Sequence, residues 1–216
     1  MSKTLSRALF ATTVAAAALG FAATSASATA LAGWTVTNPN SAGTFTASLK
    51  TGTSATLVDT TTGQQVDCSV SPASGTAPSG TYGTGTGLAK ITAVTWGSAA
   101  SPCPGPLGSS FQASLASGSV ISINATSYSG GISSGSLSGV KVNLVGDTIL
   151  GTCNAVISGS VSNVTYNNST GELAINTGTG LKVESASNCA GLLNAGDSAT
   201  FKATYKVANP LSIIYS

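Results

Sequence analysis

Apolar and polar side chains alternate strictly along several short segments of this chain. In the clearest segment, 201–207, apolar residues occupy the odd positions, while Lys, Thr and Lys occupy the even ones. The same alternation runs through 45–49 and 140–144. Successive side chains of a β-strand point to opposite faces of the sheet, so a period of two predicts half-buried strands.

Further β-type segments lie at 91–96, 119–126, 155–165, 172–176 and 181–184. Turn sequences rich in Gly, Asn and Ser separate them, and no segment after residue 30 has the 3.6-residue period of an amphipathic helix. Short strands with glycine-rich turns are typical of all-β folds. The sequence therefore predicts an antiparallel β-sandwich that is either immunoglobulin-like or barrel-like.

The first thirty residues have the pattern of a cleaved signal peptide. Lys3 and Arg7 precede an apolar run at 8–23, and small residues follow at 26–30. We expect cleavage after Ala30, with Ala28 and Ala32 as alternatives. A retained anchor is disfavoured because the run is shorter than the roughly 20 residues that span a bilayer. The pattern predicts a mature domain of residues 31–216, without a membrane span, that is secreted to the extracellular space or the cell envelope.

Ionisable groups are scarce, at 6% of the residues, and histidine is absent. Without an imidazole the chain cannot build a Ser-His-Asp triad or a histidine-ligated zinc site. Loss of Lys3 and Arg7 with the leader would leave six lysines against six acidic residues. Such a neutral chain has no basic stripe with which to neutralise phosphates, so we expect no nucleic-acid partner.

Five sequence elements recur in the same order in two halves of the chain, at about 31–108 and 109–216. The first half contains Phe45-Thr-Ala-Ser, Leu57-Val, Cys68, Thr84-Gly-Thr-Gly-Leu and Cys103; the second contains Phe111-Gln-Ala-Ser, Leu144-Val, Cys153, Thr177-Gly-Thr-Gly-Leu and Cys189. A third start, Phe-Lys-Ala-Thr, lies at 201–204. We interpret this order as two related units merged in one fold, in which the last strand pairs with the first.

The four cysteines allow three disulfide connectivities. If the two units are equivalent, Cys68 pairs with Cys103 and Cys153 pairs with Cys189, which closes loops of nearly equal length. Each bridge would contribute about 3 to 4 kcal/mol by the chain-entropy estimate. Metal ligation is the disfavoured alternative because neither Cys-x-x-Cys spacing nor histidine accompanies the cysteines.

The chain resembles a family of small exported actinobacterial proteins that are rich in Ala, Gly, Ser and Thr and contain four cysteines. The resemblance rests on Thr84-Gly-Thr-Gly-Leu88, Asn124-Ala-Thr-Ser-Tyr128 and the segment 189–197. It implies an exported bacterial protein and transfers no activity or functional residue.

Two short motifs resemble catalytic ones. Gly131-Ile-Ser-Ser-Gly135 matches the nucleophile elbow, but that motif needs a following helix and a histidine. Ser138-Gly-Val-Lys141 has Ser-x-x-Lys spacing, but alternation at 140–144 predicts a strand that points the two side chains to opposite faces. We therefore expect neither motif to be catalytic.

The acidic residues offer only weak candidates for chemistry. Asp59 with Asp67, or Glu172 with Glu184, could in principle form a glycosidase carboxylate pair. Calcium loops need several neighbouring acids, which neither Asp147 nor Asp197 has. The sequence thus predicts a protein that is not an enzyme and has no metal or cofactor.

Aromatic residues give the remaining functional hint. Trp34, Tyr128 and Tyr166 lie near turns, where a flat ring could contact a ligand. Phe45, Phe111, Phe201 and Trp96 are instead expected in the core.

Three functions stay open at this point. The first is a structural or adhesive module at the cell surface, with cell-wall polysaccharide or another surface protein as its partner. The second is a carbohydrate or small-ligand binding module. The third is an envelope β-barrel or pore, although several predicted strands fall short of the 9 to 11 residues or so that span a bilayer.

Overall fold

A computed structural model describes residues 32–216, so the predicted signal peptide lies outside the described residues. The elements are β1 (Trp34–Thr37), β2 (Thr44–Leu49), β3 (Ala55–Asp59), β4 (Gln65–Cys68), β5 (Ala73–Thr76), β6 (Gly80–Tyr82), β7 (Ala89–Trp96), β8 (Cys103–Pro104), a 3-10 turn (Pro106–Gly108), β9 (Ser110–Leu115), β10 (Ile121–Ser129), β11 (Ile132–Thr148), β12 (Gly151–Asn167), β13 (Glu172–Ser187), β14 (Ser198–Val207) and β15 (Ser212–Tyr215). The all-β prediction is confirmed. None of the helical segments in this part of the chain is long and apolar enough to cross a bilayer.

Eight strands close into an antiparallel barrel. The ring runs β10–β11–β12–β13–β14–β2–β5–β7 and returns to β10 through the register pair Ile121↔Ile91. Strand β14, which contains the third Phe-x-Ala-Thr start, pairs with β2, which contains the first. Of the two architectures left open by the sequence, the structure is therefore the barrel, and closure leaves the ring without a free edge.

The strands β11 to β14 are long, whereas their neighbours at two positions in the sheet are pairs of shorter strands. Strands β2 and β3 both pair with β14, one after the other along its length, and β9 and β10 share β11 in the same way. The predicted segments 172–176 and 181–184 are parts of one strand, β13, which contains register shifts around Gly178. Short sequence segments therefore underestimate the length of the strands.

A small sheet of β15, β1 and β6 closes one end of the barrel, which we call the capped end. Ser133 and Asn168 donate hydrogen bonds from the barrel to the Ile213 carbonyl at 2.9 Å each. Leu211 and Ile213 are buried against the barrel interior. The opposite end, the loop end, contains the turn between β11 and β12 and the loop 188–197.

Both disulfides lie towards the loop end. Cys68–Cys103 links β4 to β8, and Cys153–Cys189 links β12 to the loop that follows β13, which is the pairing expected from the repeat. The two halves of the chain contribute to one ring, and residues 31–216 form one compact unit. The repeated Thr-Gly-Thr-Gly-Leu elements differ in structure, however, because 84–88 is a loop and 177–181 belongs to β13.

Candidate ligand cavity

The barrel encloses an apolar cavity of about 120 Å³. Inward-facing side chains from all eight ring strands line it, and Leu211 and Ile213 line it from the capped end. An eight-stranded barrel is just wide enough either to fill with side chains or to hold one small ligand. Here several inward positions carry only alanine, at Ala47, Ala73 and Ala89, which leaves space along the axis.

Aromatic rings form one part of the cavity wall. Phe45, Phe111 and Phe201, the first residues of the three Phe-x-Ala-Ser/Thr segments, all face the cavity, as does Trp96. The Trp96 and Phe201 rings meet edge to face with centroids 5.9 Å apart. The sequence-based placement of these four residues in the core agrees with the structure, and Phe111 is buried completely.

Polar atoms in the wall are already satisfied. Trp96 Nε1 donates a hydrogen bond to the Tyr205 hydroxyl at 2.9 Å, and that hydroxyl lies 2.8 Å from the Ser71 hydroxyl. Burial raises the pKa of Tyr205 to about 12, although its hydrogen bonds to Ser71 and Trp96 act in the opposite direction. Tyr205 is therefore neutral over the physiological range, and the cavity wall presents neither a charge nor an unpaired donor at this point.

Trp34 and Tyr166, two of the three residues predicted as possible ligand contacts, are buried, and Tyr166 is one of the residues that line the cavity. Trp34 is 4% exposed and packs against Tyr215 with ring centroids 5.2 Å apart. Tyr166 is 5% exposed, and its hydroxyl donates to the Leu211 carbonyl and accepts the Leu211 N–H at 3.1 and 2.8 Å. Burial raises the pKa of Tyr166. Tyr128 is half-buried against the core, so the three rings form no shared exposed platform.

The two motifs that resemble catalytic ones have structural roles. Ser133 of the Gly131–Gly135 segment is buried and bonded to the capping strand. A register shift between the buried residues Leu137 and Val140 puts Ser138 and Lys141 on the same outer face, contrary to the prediction of opposite faces. Ser138 accepts a hydrogen bond from Asn124 at 2.9 Å, and Lys141 forms an ion pair with Glu184 at 2.9 Å. Each serine therefore has a hydrogen-bond partner that is not a base.

The carboxylates considered as glycosidase pairs do not face one another. Glu172 forms an ion pair with Lys50 at 2.9 Å near one end of β13, and Glu184 lies twelve residues further along the same strand, where it pairs with Lys141. A hydrogen bond from Lys141 lowers the pKa of Glu184. Asp67 accepts hydrogen bonds from Thr56 and Gln65 on the barrel wall. Residues 32–216 contain no group of three or more His, Cys, Asp or Glu side chains arranged for a metal ion.

The cavity is suited to binding an apolar molecule. An apolar cavity favours an uncharged ligand because a charge would lose its hydration without gaining a partner. Sequence analysis did not identify this cavity. The sequence feature that points to the cavity is alanine at inward positions of strands in which apolar and polar residues alternate. The size of the cavity, however, depends on how the eight strands face one another.

No protein-family model, curated protein or solved structure matches this chain.

Proposed function

We propose that this chain is an exported, non-enzymatic barrel that binds one small, uncharged, apolar molecule in its interior. The observation that carries the proposal is the apolar cavity, lined from all eight ring strands and closed at one end by the sheet of β1, β6 and β15. Ligand sites are typically concave and mostly apolar. Of the three functions that the sequence left open, this proposal is closest to the small-ligand binding module. The ligand, however, binds in the barrel interior and not at aromatic rings near the turns.

The size and chemistry of the cavity define the ligand class. An engineered apolar cavity of about 150 Å³ in another protein accepts benzene, so about 120 Å³ suits a single small ring or a short hydrocarbon. The hydroxyls of Tyr205 and Tyr166 already have partners, which favours a ligand that makes no hydrogen bonds.

Support for export comes from two sources. The first thirty residues have the pattern of a signal peptide, and all four cysteines are paired in disulfides. Disulfides persist mainly in oxidising compartments. The apolar interior and the polar outer positions of the strands favour this function over a pore, whose polarity is the reverse.

Binding is tested by titrating the purified protein with toluene, followed by the fluorescence of Trp96 and by calorimetry. We expect one site with a dissociation constant on the order of 0.1 to 1 mM, which corresponds to about 4 to 5.5 kcal/mol and lies well within the ceiling of about 1.5 kcal/mol per non-hydrogen atom. Glucose, which cannot leave its hydroxyls unpaired in such a cavity, should not bind.

A matched pair of variants locates the site. Ala47→Leu fills the cavity and should abolish toluene binding, whereas Ala93→Leu adds the same bulk to an exposed position of β7 and should leave binding unchanged. Toluene that binds both variants with the affinity of the wild type would show that the interior is not the site.

A structural or adhesive role is the second candidate, and exposed apolar residues at the loop end favour it. Leu107, Ile149 and Leu150 are 76, 77 and 65% exposed, and the turn at 149–150 lies near the 3-10 turn because Asp147 pairs with Ser110. Exposed apolar patches often mark interaction surfaces. If this role is correct, Ile149→Ser with Leu150→Ser should reduce retention of the protein on the cells that export it and leave toluene binding unchanged.

A further inference from the structure

Two acidic residues from distant parts of the chain meet at the loop end of the barrel. Asp59 ends β3 and is 1% exposed, while Asp197 ends the loop before β14 and is 9% exposed. Pairing of β3 with β14 brings them together, because Ala199 lies opposite Asp59 and Thr60 N–H donates to the Ser198 carbonyl at 2.8 Å.

One oxygen of each carboxylate has strong hydrogen bonds. Asp59 Oδ1 accepts the backbone N–H groups of Thr61 and Thr62 at 2.8 and 2.9 Å. Asp197 Oδ2 accepts the backbone N–H and the side-chain amide of Asn194 at 2.9 and 3.0 Å. These bonds fix both carboxyl groups in orientation.

The other oxygen of Asp59 has no partner. Asp59 Oδ2 is buried and has no hydrogen-bond partner. The Thr61 hydroxyl accepts the Ser198 N–H at 3.4 Å, which places this hydroxyl next to Asp197 in the chain pairing. Burial opposes the charged form of Asp197, but hydrogen bonds from Asn194 leave its pKa below the ordinary value. The buried oxygen of Asp59 therefore has neither a hydrogen bond nor a positive counterpart, and strand pairing places a second carboxylate near it.

No lysine among residues 32–216 forms an ion pair with these two acids. The ion pairs there are Lys50–Glu172 and Lys141–Glu184. Lys182 on β13 and Lys202 on β14 are the nearest cations in the strand register, and both are exposed on the outer face. A buried carboxylate oxygen that has neither a hydrogen bond nor a cation is costly, because it loses its hydration without gaining a partner.

We propose that Asp59 Oδ2, the free oxygen of Asp197 and the Thr61 hydroxyl bind a calcium ion at the loop end of the barrel. All of these donors are oxygens, which calcium and other hard cations prefer, and the two carboxylates balance a charge of +2. Thr61 is exposed, so water can complete a coordination shell of 6 to 8 oxygens or so from the solvent side. This departs from the sequence-based expectation of no metal, because the two acids are not neighbours in sequence.

Calcium at this site would link the turn between β3 and β4 to the loop 188–197. The turn between β3 and β4 already contacts the loop 188–197 through the Thr62 hydroxyl, which donates to the Leu192 carbonyl at 3.1 Å. Cys189 in the same loop is tied to β12 by its disulfide. The ion would therefore stabilise the loop end without touching the cavity, and the site is independent of the proposed ligand binding.

The test measures calcium binding to the purified protein after treatment with EDTA. Calorimetry with CaCl₂ should give one site, with a dissociation constant on the order of 0.1 to 1 mM, as in extracellular calcium modules. Addition of about 10 mM CaCl₂ should raise the Tm by about 3 to 11 °C, because a ligand that binds only the folded state stabilises it. Absence of both the binding heat and the Tm shift would overturn the proposal.

Matched variants assign the site. Asp59→Asn should lose the calcium response yet fold, since its amide can donate to Asp197 in place of the ion; Asp197→Asn should also lose the response. Asp147→Asn removes an exposed carboxylate elsewhere at the loop end and should respond as the wild type does. If the Asp59 variant does not fold, the wild type and the Asp197 variant still test the site. The proposal requires one calcium ion bound to the wild type and none bound to the Asp197 variant, and any other stoichiometry would overturn it. The proposal would also be overturned if the wild type shows no response to calcium and becomes more stable from pH 7 to 5. That result would show that the two acids share a proton.

Discussion

Phe111 lies directly opposite Gly146 in the pairing of β9 with β11, and its ring occupies the space that a side chain at Gly146 would need. A Cβ atom at Gly146 would lie 2.2 Å from Phe111 Cδ1. The other two Phe-x-Ala-Ser/Thr segments also pair their Phe with a glycine, Phe45 with Gly75 and Phe201 with Gly178. The Phe45 ring lies 2.8 Å from the position of a Cβ atom at Gly75, whereas Val161 is the nearest side chain to that position at Gly178. Each of these segments therefore places a ring in the barrel interior opposite a glycine of the neighbouring strand. A ring in this position covers the glycine backbone and helps to fix the strand register.

We expect Gly146→Ala to destabilise the protein by about 1 to 3 kcal/mol, because the new methyl group overpacks a fully buried ring. Urea unfolding followed by circular dichroism measures the loss. Gly83→Ala is the matched control, since no atom lies within 4 Å of the position that its Cβ would occupy and it should change stability little. Equal stability of the two variants would contradict this account of the Phe111–Gly146 pair.

The two disulfides should contribute nearly equally to stability. They close loops with sequence separations of 35 and 36 residues, so the chain-entropy estimate gives about 3 to 4 kcal/mol for each. The double variants Cys68→Ser with Cys103→Ser, and Cys153→Ser with Cys189→Ser, should lose similar free energies of unfolding in guanidinium titrations. A much larger loss for the first pair would show that the bridge between β4 and β8 also holds the barrel wall together.

Stability should fall between about pH 10 and pH 12 through Tyr205. Its pKa is about 12 in the folded protein against 10.0 for an ordinary tyrosine, so in this window the folded state binds more protons than the unfolded state. The contribution is fully present below pH 10 and amounts to about 2 to 3 kcal/mol, which is lost as the pH rises through 12.

The variant Tyr205→Phe tests this window. It should be less stable than the wild type at pH 7, because the buried Trp96 N–H loses its acceptor, and the difference should shrink from pH 10 to 12. Tyr215→Phe, at a position 47% exposed, should follow the wild type throughout. A constant difference between Tyr205→Phe and the wild type across this range would be inconsistent with a raised pKa.

Tyr166→Phe should destabilise the cap, the small sheet of β1, β6 and β15. The variant removes the hydroxyl that pairs with both backbone groups of Leu211, so we expect a loss of about 2 kcal/mol. Amide exchange should become faster in β15 in particular. Tyr128→Phe, at a half-buried position, is the control and should change exchange in β15 little.

The strands could be predicted from the sequence because alternation is a local property. Segments 45–49 and 201–207 were predicted within a few residues of β2 and β14. Strands β1 and β15 were not predicted, since each has only four residues and its stability comes from pairing with the other. Tyr166 was misplaced because its flanking residues are polar, whereas its side chain lies on the inward face of β12 with Val164.

The two candidate sites could not be predicted from the sequence, because each is formed by residues that are distant along the chain. The inward alanines are visible in the sequence, but the cavity exists only because eight strands close around them. Likewise, Asp197 has no acidic neighbour in sequence, and it meets Asp59 only through the pairing of β14 with β3.

The amino-acid sequence by itself determined the all-β class, the inward placement of the three Phe rings and the expected cysteine pairing, because side-chain alternation and chain order are encoded residue by residue. Only the tertiary structure decided that the sheet closes into a barrel, that β1, β6 and β15 cap it, and that Asp59 and Asp197 lie on paired strands at the loop end. Those features depend on which distant strands pair, and that choice is made by the packing of the whole core.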